Sequence, residues 1–101
     1  MKTKLCVDGR EIFLNPFIAD LMGNVAQGIV ASIKVEDPEV RKIEFHLRES
    51  DVAGLAVNDR PVSLQLSTGF VRQIIGSTLR GLLQPLKGTE GAKEVLIKVD
   101  V

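Results

Sequence analysis

The stretch "FIADLMGNVAQGIVASIK" (residues 17–34) recurs as "FVRQIIGSTLRGLLQPLK" (residues 70–87), and this recurrence decides the fold. Each copy begins with Phe, ends with Lys and carries two glycines at matching positions. Within each copy the apolar residues recur at three- and four-residue intervals, which is typical of an amphipathic helix. A pattern that repeats at this length predicts an internal duplication.

The segments that flank the two helices repeat as well. "LCVDGREIFL" (residues 5–14) matches "LAVNDRPVSL" (residues 55–64), and "KIEFHLR" (residues 42–48) matches "EVLIKVD" (residues 94–100). Alternating apolar residues around "DG" and "ND" predict two hairpins. The matching segments 42–48 and 94–100 predict one further strand in each half. The repeating unit is therefore ββαβ. We predict an α/β domain of the α+β type, a two-layer sandwich with about six strands and two helices on one sheet face.

The 101 residues are enough for one small domain, which we divide into a first repeat (residues 1–50) and a second repeat (residues 51–101). Asn15 is a suitable N-cap for the first helix, which begins at a proline and runs to about Ile33. Ser67 or Thr68 can cap the second helix. That helix is predicted to end near Gln84, because the next residue is a proline.

The paired glycines need an explanation, since a glycine inside a helix costs about 1 kcal/mol relative to alanine. On a helical projection the apolar side chains of the first helix, including Phe17 and Leu21, cover one broad face that we predict to be buried. Gly23 and Gly28 lie at the borders of that face, and the glycines of the second helix match them. We interpret all four as packing residues that let a neighbouring backbone come close; the alternative is that they open a groove for a ligand.

Composition argues against several classes of partner. Thirteen basic and thirteen acidic residues give no net charge, so long-range attraction to nucleic acid or to an anionic membrane is not expected. The chain has four Phe and neither Trp nor Tyr, which removes the usual platform for stacking single-stranded bases. The first residues, "MKTKLCVDGR", hold no apolar stretch of signal-peptide length, so we expect a cytoplasmic protein.

Residues that could carry chemistry are few. Cys6 and His46 are the only cysteine and histidine, and a catalytic dyad would need them in contact. Glu36, Asp37 and Glu39 cluster in one loop, but without the ligand spacing of a calcium site. We predict no catalytic residue, no cofactor and no metal site. An enzyme made of this chain alone is the least favoured hypothesis; an active site shared between subunits is an open alternative.

An anion site is suggested at the start of the second helix. From residue 60 to residue 87 the chain carries four basic residues and no acidic one. Backbone N–H groups at a helix N-terminus attract anions. The residues we assign to this hypothesis are Ser67, Thr68, Gly69, Arg72 and Arg80.

A protein interface is suggested on the outer face of the sheet. Phe13 and Leu96 are large apolar residues in strand positions that otherwise point polar side chains away from the helices, and His46 lies on the same face. The last strand, residues 94–101, can lie at a sheet edge, where unpaired backbone groups can pair with another chain. Either the outer face or this edge could then join two copies.

These observations favour a small non-enzymatic binding or assembly module. It would act through self-association or as a subunit of a larger complex, so the expected partner is a second copy or another protein. The alternative is a module that binds an anion, a nucleotide or an RNA backbone through the basic face and N-terminus of the second helix.

Overall fold

The computed structural model describes residues 1–33, 35, 37–48, 51–62 and 69–101, which form six strands and two helices. In chain order the elements are β1 (Lys2–Val7), β2 (Arg10–Ile12), α1 (Pro16–Ile33), β3 (Lys42–Arg48), β4 (Asp51–Val57), β5 (Arg60–Pro61), α2 (Phe70–Leu83) and β6 (Glu94–Asp100). The strands make one open antiparallel sheet, so the fold belongs to the α+β class that the sequence predicts.

The strand order is β2-β1-β6-β3-β4-β5. The C-terminal strand β6 pairs with β1 on one side and with β3 on the other, so it does not lie at an edge and edge pairing through β6 does not join two copies. The tight turns of the two hairpins hold β2 beside β1 and β5 beside β4, and these short strands occupy the edges instead. Edge strands of three and two residues leave little backbone free for another chain.

Both predicted hairpin turns are present. Asp8 and Gly9 have φ of 48° and 84°, and Asn58 and Asp59 have φ of 52° and 65°. Two consecutive residues with positive φ are the signature of a type I′ turn, whose twist matches that of the flanking strands. The "DG" and "ND" pairs therefore form the predicted hairpin turns.

Each hairpin turn also holds the start of a strand from the other half of the chain. Asp8 Oδ1 accepts a hydrogen bond from the Glu94 N–H at 2.8 Å. Asn58 Oδ1 accepts from the N–H groups of Arg41 and Lys42 at 2.8 and 3.0 Å. Asp8 and Asn58 occupy matching places in the two hairpins, so the same contact is made twice.

The core is one hydrophobic cluster to which the sheet and both helices contribute. Its fully buried side chains are Met22, Ala26 and Val30 of α1, Ile75, Leu79 and Leu83 of α2, and Leu5, Val7, Ile43, Phe45, Leu47, Val52, Leu55, Val57, Val95, Ile97 and Val99 of the strands. The strand members alternate with half-buried or exposed residues, as expected for a sheet buried on one face. In β4 the alternation is broken at Ala53, where a register shift against β3 returns Val52 to the buried side.

The helix limits follow local signals. Asn15 Oδ1 accepts a hydrogen bond at 2.9 Å from the N–H three residues ahead, which confirms the predicted N-cap of α1. The N-cap of α2 is Gly69, with φ of 81° and no side-chain capping bond. Ser67 and Thr68, the predicted caps, lie outside the described residues. α2 ends at Leu83, one residue before the predicted end.

The packing explanation of the glycines is wrong at two positions, and at Gly23 side chains come close in place of the predicted backbone. A Cβ atom at Gly23 would collide with the side chain of the N-terminal methionine and lie 3.0 Å from Thr3 Oγ1, so the glycine makes room for these two side chains. A Cβ atom at Gly28 or Gly81 would meet nothing within 4 Å. These two glycines therefore face open space on the helices.

Replacing Gly23 or Gly28 by leucine should distinguish a glycine that neighbouring side chains require from one that faces open space. We expect Gly23→Leu to lose about 1–3 kcal/mol of unfolding free energy, because the new side chain overpacks the contact with β1. Gly28→Leu should keep the wild-type value or gain up to about 1 kcal/mol, because leucine is the better helix former. Denaturant midpoints in dilute solution measure both; equal midpoints for the two variants would contradict the assignment.

In the described part of the chain, α1 alone is long and apolar enough, by length and composition, to cross a membrane. Four of its residues, Met22, Gly23, Ala26 and Val30, are nevertheless buried in the domain. These four residues hold one side of α1 in the hydrophobic core. Its remaining apolar residues raise the question of what they contact.

Candidate functional site

The side of the two helices turned away from the core is apolar. Phe17 and Phe70 are 70% and 63% exposed, and Ile74 and Leu21 are 51% and 36% exposed. The prediction that the broad apolar face of α1 is buried is therefore wrong for Phe17 and Leu21. The apolar arc of α1 is wider than the stripe that a sheet can cover, so part of it faces solvent.

A groove of about 520 Å³ lies between the helices. The C-terminal half of α1 forms one wall and the first two turns of α2 form the other. Its lining residues are Val25, Gly28, Ile29, Ser32, Ile33, Phe70, Val71, Ile74 and Ile75. We call the groove, together with Phe17 and Leu21, the helix surface. Gly28 contributes to it by having no side chain.

Among the residues that the structure describes, none that forms the helix surface is charged. Charged residues make up 26% of the chain, but Asp20, Arg72 and Arg80 are the only ones in α1 and α2, and none of them lines the groove. Apolar and aromatic residues with few charges among them are typical of the centre of a protein interface. Because a Phe side chain presents roughly 150–250 Å², Phe17 and Phe70 alone expose about 250 Å² of apolar area.

The helix surface approaches the size of one side of a standard interface. The 18 residues of α1 extend about 27 Å, and two adjacent helices are about 20 Å wide. This amounts to roughly 500 Å² in projection, and its corrugation increases the accessible area. A standard interface buries about 800 Å² on each partner.

The outer sheet face brings two of the three predicted interface residues together. Leu96 of β6 is directly opposite His46 of β3 on one side and Cys6 of β1 on the other. All three are half-buried. Because neighbouring strands are about 4.8 Å apart and β6 lies between β1 and β3, Cys6 and His46 are separated by Leu96 and do not form the dyad considered above.

Toward the other end of the strands this face is charged. Across the sheet Asp100 lies between Lys2 and Lys42, and Lys4 lies opposite Lys98. The Lys4 ammonium is 3.6 Å from the carboxylate of a neighbouring glutamate on β2. Such an arrangement is well solvated and costly to desolvate, so it is poorly suited to a dry contact.

Phe13, the third predicted interface residue, is 88% exposed and follows the end of β2. β1 separates β2 from β6, so Phe13 does not lie beside Leu96. The apolar residues of the outer sheet face are thus scattered, and scattered exposed apolar residues are common on any protein surface.

The predicted anion site is described only in part. Gly69 precedes α2, and its carbonyl accepts from the Gln73 N–H at 2.9 Å; Arg72 is exposed on the first turn. Arg80 lies eight residues further on, about 12 Å along the helix axis, so one small anion contacts at most one of the two arginines. An anion site here stays a prediction centred on Gly69 and Arg72.

Arg80 lies near the C-terminus of α2. Its Nη1 atom is 3.4 Å from the Ala92 carbonyl, while Nε and Nη2 are buried and have no partner among the described residues. The adjoining groove also contains Glu90. A carboxylate and the negative end of a helix both oppose an anion at this position.

The ligand types that hold metals are dispersed. Among the residues that the structure describes, no three His, Cys, Asp or Glu side chains are grouped so as to hold a metal ion. Glu36 lies outside the described residues, so the acidic loop is described only in part.

The sequence analysis considered a groove opened by the helix glycines only as an alternative, and it missed the exposed apolar side chains beside that groove, for which two signals were available. The apolar residues of α1 extend over more than half of the helical projection, further than one buried face requires. The polar positions of both helices are mostly Asn, Gln, Ser, Thr and Gly, with few charges. Together these signals indicate helices that bury one side and bind something with the other.

Comparison with protein-family models, curated proteins and solved structures finds no match for this chain. Its function is therefore inferred from the helix surface, the outer sheet face and the start of α2.

Proposed function

We propose that this chain is a small, non-enzymatic assembly module that binds a second copy of itself through the helix surface. One observation carries the proposal: an uncharged groove of about 520 Å³ bordered by exposed Phe70 and Ile74, with Phe17 and Leu21 on the same side of the helices. Exposed apolar area of this extent favours a bound partner over solvent. A cytoplasmic location is part of the same proposal.

A second copy is the partner that these features favour. A surface without charges brings no like charges together when it meets itself, so no charge has to be desolvated. Two copies that use the same surface form a closed, symmetric dimer, the commonest arrangement of soluble oligomers. In such a dimer the two pairs of helices lie between the two sheets.

We also propose that the domain is a duplicated ββαβ unit arranged as a two-layer sandwich. The two halves contribute matching strands: β1 corresponds to β4, β2 to β5 and β3 to β6. Exchanging each strand with its counterpart gives the same strand order read from the opposite edge of the sheet. The matching contacts of Asp8 and Asn58, each to the strand start of the opposite half, support the same symmetry. The helix surface would then be made of two equivalent parts.

The outer sheet face, with Phe13, His46 and Leu96, is the competing surface. It is less favoured, because its apolar residues are dispersed and half of it is charged. The two surfaces differ in their response to salt, since screening weakens contacts between exposed charges and leaves apolar contacts intact.

Sedimentation of the wild-type chain tests self-association. Over concentrations from about 1 µM to about 1 mM we expect a reversible monomer–dimer equilibrium whose dissociation constant does not rise with added salt. A chain that stays monomeric at the highest concentration would contradict self-association. A dimer that dissociates steeply with salt would contradict the helix surface and favour the charged sheet face.

A further inference from the structure

Each helix carries a line of four exposed residues that alternates from large to small along its length. The lines are Phe17, Leu21, Asn24 and Gly28 on α1, and Phe70, Ile74, Ser77 and Gly81 on α2. Residues spaced by four, three and four lie almost on one line along a helix, because eleven residues make close to three turns. We call each line an outer ridge. All eight residues are exposed.

We infer that each outer ridge pairs antiparallel with the same ridge of a second copy, so that each Phe lies over the partner's Gly. This inference rests on the proposed self-association and specifies its geometry. In α1, Phe17 of one copy would contact Gly28 of the other, and Leu21 would contact Asn24. In α2 the same register places Phe70 over Gly81 and Ile74 over Ser77.

The order of sizes along the ridge favours the antiparallel direction. Two large residues are followed by two smaller ones, so reversing one helix places every large residue opposite a smaller one. A parallel pairing would place Phe against Phe and Gly against Gly, leaving a collision at one end and a void at the other. Large residues of one helix seated between small residues of its neighbour let the two backbones approach closely.

The glycines provide the space that this pairing requires. Among the described residues nothing lies within 4 Å of a Cβ atom built at Gly28 or Gly81, so neither glycine is needed for packing within that part of the chain. Gly28 also lines the groove between the helices, into which an aromatic ring of the partner can extend. The inference thus explains two helix glycines that packing inside the domain leaves unexplained.

Filling the space at one glycine tests the pairing. We expect Gly28→Leu to raise the dissociation constant of the dimer by about tenfold or more, because the new side chain occupies the place of the partner's Phe17. Gly81→Leu should act in the same way. Gly54→Leu is the matched control: this glycine of β4 also has nothing within 4 Å of its Cβ position, but it lies on the sheet, opposite His46.

A double variant tests which residue faces Gly28. Phe17→Ala combined with Gly28→Phe exchanges the large and small ends of the ridge, so antiparallel pairing regains its complementarity. We expect this variant to dimerise more tightly than Gly28→Phe alone. Circular dichroism of each variant, measured where it is monomeric, shows that the fold is kept.

The outcomes separate the pairing from self-association itself. If the wild type is a dimer and Gly28→Leu dimerises as tightly as Gly54→Leu, the ridge pairing is wrong while self-association stands. Failure of Phe17→Ala to improve the association of Gly28→Phe would contradict the Phe17–Gly28 contact. A monomeric wild type would overturn both proposals.

Discussion

The Phe70→Glu variant is expected to remain monomeric at concentrations at which the wild-type chain is a dimer. Phe70 borders the groove of the helix surface and is 63% exposed, so a dimer through this surface would bury it. A carboxylate at that position would lose its hydration without a cationic partner, since the groove is uncharged. We expect the dissociation constant to rise by about 100-fold or more, measured by sedimentation over the range used for the wild type.

Unfolding would not explain that loss. Phe70 is the first residue of α2, and an acidic side chain in the first turn of a helix is favourable to the helix dipole. The matched control is Phe13→Glu, which introduces the same charge at a residue that is 88% exposed and outside the helix surface. The control should dimerise as the wild type does. If Phe13→Glu abolishes the dimer and Phe70→Glu leaves it intact, the interface is the outer sheet face and our proposal is wrong.

The largest loss of stability is expected for Phe45→Ala. Phe45 is fully buried in β3, directly opposite Ile97 of β6 and Leu55 of β4. Removing the ring would leave a cavity in the middle of the sheet and cost about 3–5 kcal/mol of unfolding free energy. That is a large share of the total, because domains of this size are stable by about 5–15 kcal/mol.

This effect is best measured where association contributes nothing. We would introduce Phe45→Ala into the Phe70→Glu background, so that dimer formation does not add to the unfolding free energy. Phe13→Ala in the same background is the control, and we expect it to change stability by less than about 0.5 kcal/mol. Similar denaturant midpoints for the two variants would show that the placement of Phe45 in the core is wrong.

The elements that could be predicted from the sequence are those set by local interactions. The turns at Asp8–Gly9 and Asn58–Asp59 form because these residues tolerate positive φ, and the cap of α1 forms because the Asn15 side chain reaches a nearby N–H. The alternation in β3 and β6 likewise identifies the buried positions, since successive side chains of a strand point to opposite faces. None of these features depends on distant parts of the chain.

The position of β6 could not be predicted in this way. Its sequence is compatible with an edge or with the centre of a sheet, and its place depends on which strands pair with it across the whole chain. The hairpins occupy the outer positions, so β6 is enclosed by β1 and β3. The sequence left edge pairing open as one of two routes, because strand order is a non-local property.

The helix surface also combines features that are visible in the sequence with features that depend on the tertiary structure. By itself the sequence determined that α1 and α2 are apolar, that they match each other and that each carries two glycines. Only the tertiary structure decided which of these residues are covered: the sheet buries Met22, Ala26 and Val30 but leaves Phe17 and Leu21 exposed. It also assigned opposite roles to Gly23, which β1 approaches, and Gly28, which faces a groove. The physical reason is that hydrophobic burial has no direction of its own, so the partner of an apolar side chain depends on how the sheet and helices are arranged around it.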